Sequence, residues 1–153
     1  MKKKILLALS ILSLSFVGNN WKTINACAQE ETKENYSYLL NDEAIIGQTE
    51  VNPAGVYLLN GMSTIQDAGT GKIIAGGITN AAIKCDLTVN VIVERLDKGA
   101  WLRVTSWTAS DDYAWSVGAS KTLSVGRGYY YRVRSLHSAH TDASSSWTGN
   151  LWR

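Results

Sequence analysis

Cysteine is nearly absent from this chain. Of the two present, Cys27 lies in an N-terminal stretch with the marks of a secretory signal, which leaves Cys85 alone in the remainder. A lone cysteine excludes an internal disulfide even in an oxidising compartment, and it reads as a small buried hydrophobe on a strand. Proline occurs once and phenylalanine once, against 13 glycines, a composition that suits a compact domain with tight turns better than a disordered chain. The longest apolar run, residues 5–17, falls short of the roughly 20 residues of a membrane-spanning helix. Histidine occurs only at positions 137 and 140, and no Gly-x-Ser-x-Gly elbow is present. The adjacent Asp111 and Asp112 read as a turn, not as an acid–base pair. These gaps argue against a hydrolase, and no residue set calls for a cofactor.

The first 28 residues do carry information. Lys2, Lys3 and Lys4 precede the apolar run, and Ala26, Cys27 and Ala28 close a polar stretch, so residues 1–28 are expected to be a signal peptide cleaved after Ala28. Trp21 and Lys22 separate Cys27 from the apolar run, which disfavours a lipid anchor there. Loss of the four lysines in this stretch leaves 11 bases against 13 acids. The division is uneven. Residues 29–50 hold six acids and one lysine and are expected to form a flexible acidic leader, whereas residues 51–153 hold seven acids and ten bases. A surplus of that size is too small to argue for nucleic acid.

From residue 51 the texture is short apolar runs broken by glycine, as at 55–60 and 72–77. The clearest strand is residues 83–94, where Ile83, Cys85, Leu87, Val89, Val91 and Val93 alternate with Lys84, Asp86, Thr88, Asn90, Ile92 and Glu94. Asp97, Lys98 and Gly99 predict a hairpin turn into a strand at 101–107. Residues 110–112 signal another turn, followed by a weak strand near 114–117 and two strands around Gly126, Arg127 and Gly128. A loop at 137–146 and a strand at 147–152 complete the pattern. With no helix–strand rhythm and no repeat, the expected fold is all-β, a single antiparallel β-sandwich over residues 51–153.

Leu123, Gly126 and Tyr129, followed by Tyr131 and Val133, resemble the tyrosine corner and following strand of fibronectin type III and other immunoglobulin-like sandwiches. The resemblance implies that Tyr129 bonds back to the backbone near Gly126. Residues 71–77 (GKIIAGG), 93–96 (VERL), 104–108 (VTSWT) and 128–134 (GYYYRVR) also resemble an uncharacterised family of small secreted proteins from Gram-positive bacteria. That resemblance implies secretion and a single β domain, and no activity.

Two constellations carry chemistry. His137, His140 and Asp142 have ligand-like spacing, but a Ser-rich loop offers a metal no rigid shell, so no metal site is expected. The second is a predicted surface. If Tyr129, Tyr131 and Val133 point inward, Tyr130, Arg132, Arg134 and Leu136 point outward, and a neighbouring strand at 101–107 adds Trp101, Arg103, Thr105 and Trp107. Rings stack on sugars and apolar groups, and guanidinium takes anions in bidentate fashion. A bulge near Arg103 would turn Trp101 inward instead. The functional expectation is therefore a secreted, non-catalytic domain that binds a glycan, a cell envelope or a protein surface. The rival expectation is a small secreted effector or antagonist, toxin-like or bacteriocin-like, whose acidic leader masks a basic surface until it is removed.

Overall fold

A computed structural model describes residues 34–49 and 55–153, and the expected signal peptide lies outside them. The described chain is all-β apart from one 3-10 turn, Ser37–Leu39. Its strands are β1 (Ile45–Gln48), β2 (Leu58–Asp67), β3 (Lys72–Asp97), β4 (Ala100–Ser124), β5 (Tyr130–Ala139), β6 (Asp142–Trp147) and β7 (Leu151–Trp152). All seven join one antiparallel sheet, ordered β1-β2-β3-β5-β6, with β4 on β3 and β7 on β5. No helix among the described residues is long and apolar enough to cross a membrane.

β3 is the spine, and it is sharply bent. The Thr79 hydroxyl donates to the Thr88 carbonyl at 3.0 Å. Nine extended residues would span about 30 Å, so the strand doubles back between these positions. Register breaks at Asn80, Cys85 and Leu87 mark the bend, and on β4 the matching point holds Tyr113 at φ 53°. One half of β3 carries β2 on one side and the other half carries β5, while β4 follows β3 along both. The sheet thus curls until it is nearly closed into a barrel. Where β1 meets the far side, a Cβ on Gly47 would strike the Trp147 carbonyl oxygen.

Alternation decides what lies inside. Ile65, Ile73, Ala75, Leu87, Val89, Val91, Val93, Tyr131 and Val133 form the buried cluster, as the period-2 pattern of residues 83–94 predicts from Cys85 onward. Space between the facing halves is tight: a Cβ on Gly77 would lie 2.6 Å from Ser135 Oγ and 3.0 Å from Val89. Only glycine lets the halves approach this closely.

Several expected boundaries differ. The hairpin at Lys98 and Gly99 forms, with φ of 49° and 84° as a type I′ turn requires. The expected turn at 110–112 is instead the bend within β4, because β3 beside it continues to supply partners on both sides of the bend. The expected loop at 137–146 is a hairpin: β5 turns at His140, φ 51°, directly into β6. The sheet also begins upstream of residue 51, since Ile45–Gln48 pairs with β2 inside the span read as a leader.

The tyrosine contact shifts by two residues. The hydroxyl that donates to the Gly126 carbonyl, at 2.9 Å, belongs to Tyr131 and not to Tyr129. Tyr131 is on the inward side of β5 and reaches the turn from within. Tyr129 precedes the strand, exchanges backbone bonds with Arg153, and lies under the Arg95 guanidinium at 4.2 Å.

Candidate functional site: an aromatic and guanidinium face

The outer face of the β4-β3-β5 half gathers most of the predicted residues, in an order the sequence did not suggest. β4 and β5 are not neighbours. β3 runs between them, so Glu94 stands opposite both Arg103 and Arg132. The Arg132 Nε–H donates to the Glu94 carboxylate at 2.6 Å, and its guanidinium covers the Trp101 ring at 4.2 Å. Trp101 and Arg132 thus meet across β3 through a stacked ion pair. Glu94, which alternation places outside, is buried by these neighbours.

A bulge splits the expected β4 face. Thr105 opposes Val93 while Arg103 opposes Glu94, so Val104 is the extra residue. Before it, Trp101 and Arg103 stay outside. After it, Thr105 and Trp107 turn inward, and Trp107 opposes Val91 and packs on the core. The Lys121 ammonium lies 5.2 Å from the Trp107 ring. Trp107 therefore leaves the predicted patch, while Trp101 remains in it.

Two aromatics replace it. Trp147 on β6 opposes Arg134, whose guanidinium carbon is 5.7 Å from the ring, and Trp152 on β7 opposes Tyr130 in an edge contact at 4.8 Å. Tyr130, Trp147 and Trp152 are 43%, 46% and 56% exposed, so each offers ring surface to solvent. The sequence alone does not set the face of these two tryptophans, because it depends on the pairing of β6 and β7 with β5. The Trp-x-x-x-x-Trp spacing carries no such signal.

The arginines are not equivalent. Arg132 is neutralised by Glu94, whereas Arg134 rests on the Trp147 ring and has no carboxylate partner among the described residues. Arg103 is exposed, beside neutralised Glu94. An incoming anion therefore meets Arg103 and Arg134 as its open cations, with Trp101, Trp147, Tyr130 and Trp152 as stacking surfaces.

His137, His140 and Asp142 are sent to three different tasks. His137 is in the core, with Nδ1 2.9 Å from Thr79 Oγ1 and Nε2 2.8 Å from Ser146 Oγ. Because the Thr79 proton goes to the Thr88 carbonyl, Nδ1–H donates to Thr79 and the Ser146 hydroxyl donates to Nε2. Ser146 continues to Ser63 at 2.7 Å, and Ser63 to Ser135 at 2.8 Å. His137 and Ser146 are at most 1% exposed, so this serine–histidine pair faces packed side chains and no solvent. Burial lowers the His137 pKa to about 4 and keeps the ring neutral. His140 stacks on Tyr57 at 4.5 Å. The Asp142 carboxylate accepts the Leu58 and Tyr57 amides at 3.0 and 2.7 Å, which hold its pKa below the usual carboxylate range. Cys85 is buried at the bend, and that burial, with Asp86 and Asp142 nearby, pushes its thiol up, away from the reactive thiolate.

No family model, curated protein or solved structure matches this chain.

Proposed function

We propose that the protein is a secreted, non-catalytic binding module whose β4-β3-β5-β6 outer face holds an extracellular glycan carrying acidic groups. The observation that supports this most directly is the alternation of ring and guanidinium across the face: Trp101 on Arg132, Arg134 against Trp147, and Tyr130 against Trp152. Cross-strand ring and cation pairs of this kind stabilise a sheet by about 0.2–1 kcal/mol each. Stability alone does not call for three rings to remain near half exposed or for Arg103 and Arg134 to stay without a carboxylate. A polysaccharide fits, since sugar faces stack on rings and carboxylate or phosphate substituents suit arginine. Secretion rests on the signal-like residues 1–28. The comparison with immunoglobulin-like modules stays part of this proposal, as a compact β domain that binds through exposed strands.

The test is binding of the purified protein to a glycan array and to isolated cell walls, with Arg134→Ala/Trp147→Ala as the variant. Binding to acidic glycans that falls about tenfold or more in the variant, with stability lowered by no more than the ~0.2–1 kcal/mol that the pair contributes, supports the reading. Equal binding by both proteins, or none by either, removes it.

The effector reading is favoured by one observation: Tyr36, Leu39 and Leu40 cover Met62 and Ile78 on the opposite outer face, so losing this segment would uncover apolar surface. Harm to target cells by a chain trimmed to residue 44, and by that form alone, would select it.

A further inference from the structure

The same N-terminal segment borders an open cleft away from the aromatic ladder. Its floor is the outer side of β2, β3 and β4, at Met62, Ile78, Asn80 and Ser116, and Glu34, Asn35, Tyr36, Ser37 and Leu40 form its wall. The segment is seated closely: the Tyr36 ring lies where a Cβ on Gly118 would be, and Leu39 packs with Met62 and Ile78. The space left is about 430 Å³, within the range of small-molecule sites.

Its chemistry is one-sided. Leu40, Met62, Ile78 and the Tyr36 ring supply an apolar wall. Asn80 and Ser116 are joined by a hydrogen bond of 2.6 Å, and Asn80 also bonds Asn60 at 2.7 Å, so these polar groups are held in place before any ligand arrives. Among the described residues Glu34 is the one charged group of the lining, and it accepts a hydrogen bond from the Tyr36 hydroxyl. Burial is the main cause that raises the Tyr36 pKa to about 12, and the hydrogen bond to Glu34 adds to it. Among the described residues no three His, Cys, Asp or Glu side chains converge, so a bare metal ion lacks ligands here. An organic cation needs fewer: one carboxylate, an aromatic face and an apolar wall.

We propose that this cavity binds a small organic ammonium with an apolar body of about six to ten heavy atoms, its charge toward Glu34 and its body against Met62 and Ile78.

Three probes of matched shape test it, followed by NMR of the Met62 and Ile78 methyl groups in the whole protein: phenethylammonium, 2-phenylethanol and 3-phenylpropionate. The expected result is saturable shifts with the ammonium, at least about tenfold weaker binding of the alcohol, and none of the carboxylate. Glu34→Gln should weaken the ammonium about tenfold with the alcohol unaffected. The substitution keeps the side chain's shape, and the NMR spectrum itself reports the fold. Equal binding of ammonium and alcohol, binding of the carboxylate, an unchanged affinity in Glu34→Gln, or no shift with any probe would overturn the proposal. Arg134→Ala/Trp147→Ala should leave these titrations unaltered, which separates this site from the glycan face.

Discussion

Acid should loosen this protein through His137 before it reaches the carboxylates. The ring is neutral in the fold, with a pKa lowered from 6.5 to about 4 by burial. An unfolded chain takes up the proton near 6.5 while the folded one refuses it until about 4, so the unfolded state binds more protons in that window and stability falls as pH falls. Above 6.5 the contribution is complete and flat. The gap is worth about 3 kcal/mol, at about 1.4 kcal/mol for each pH unit. The ring meets the neutral hydroxyls of Thr79 and Ser146, and a Cβ on Gly61 would strike it; among the described residues no carboxylate bonds to it. Urea unfolding from about pH 7.5 to about pH 4.5 measures the slope directly. His137→Gln, which lacks a titrating ring, should be less stable at neutral pH by about 1–3 kcal/mol for its incompletely bonded partners, yet flatter across the window. A wild type with no loss between 6.5 and 4.5, or a variant with the same slope, would refute the reasoning.

Asp142 supplies a second, more acidic step. Its folded pKa is held below the ordinary 3.8 by the Leu58 and Tyr57 amides, so its contribution is present above 3.8 and lost as pH falls through the lower folded value. Asp142→Asn should remove that step in acid unfolding while leaving the His137 window intact. Tyr131→Phe removes the hydroxyl that holds Gly126 and should cost about 1 kcal/mol in urea unfolding, whereas Tyr129→Phe removes no such bond and should cost less. Gly47→Ala places a methyl group against the Trp147 carbonyl, where backbone meets backbone, and should lower stability by about 1–3 kcal/mol or more, with hydrogen exchange rising first in β1 and β6.

The elements of the fold that rest on local chemistry were readable in the sequence. Alternation along residues 83–94 sets the inward side of β3, and Lys98 with Gly99 sets the hairpin, because both depend on residues within reach of one another. What could not be read is the length of β3 and β4. Each looks like separate short strands, broken at the glycines of 76–77 and at Asp111 and Asp112. In the structure Gly76 and Gly77 lie inside β3, and the acids lie in β4 beside its bend. Glycine there allows the two halves to pack, a distance relation between β3, β4 and β5 that no local window contains. The lone Cys85 and the pair His137 and Ser146 show the same limit, since burial makes the thiol unreactive and the imidazole neutral only once the distant halves close over them.

The candidate face follows the same logic and sharpens what its residues do. Alternation on β5 puts Tyr130, Arg132 and Arg134 outside, and that much is local. Yet the sequence treats the three guanidiniums of Arg103, Arg132 and Arg134 as equal, whereas the interposed β3 hands Glu94 to Arg132 through a bond of 2.6 Å. Arg132 then works as a brace that holds the Trp101 ring flat, and a partly buried pair of this kind is costly to break from one side because the remaining charge loses its partner. Truncating Arg132 would therefore confuse lost binding with lost structure, and Glu94→Gln would loosen Trp101 without removing any ligand group. Arg103 and Arg134 hold no carboxylate in this way, and Arg134 contributes only its contact with the Trp147 ring. Loss of ligand affinity with little loss of stability at Arg134, set against large loss of both at Arg132, is the pattern that a binding face built on a braced ladder requires and that a purely structural ladder would not produce.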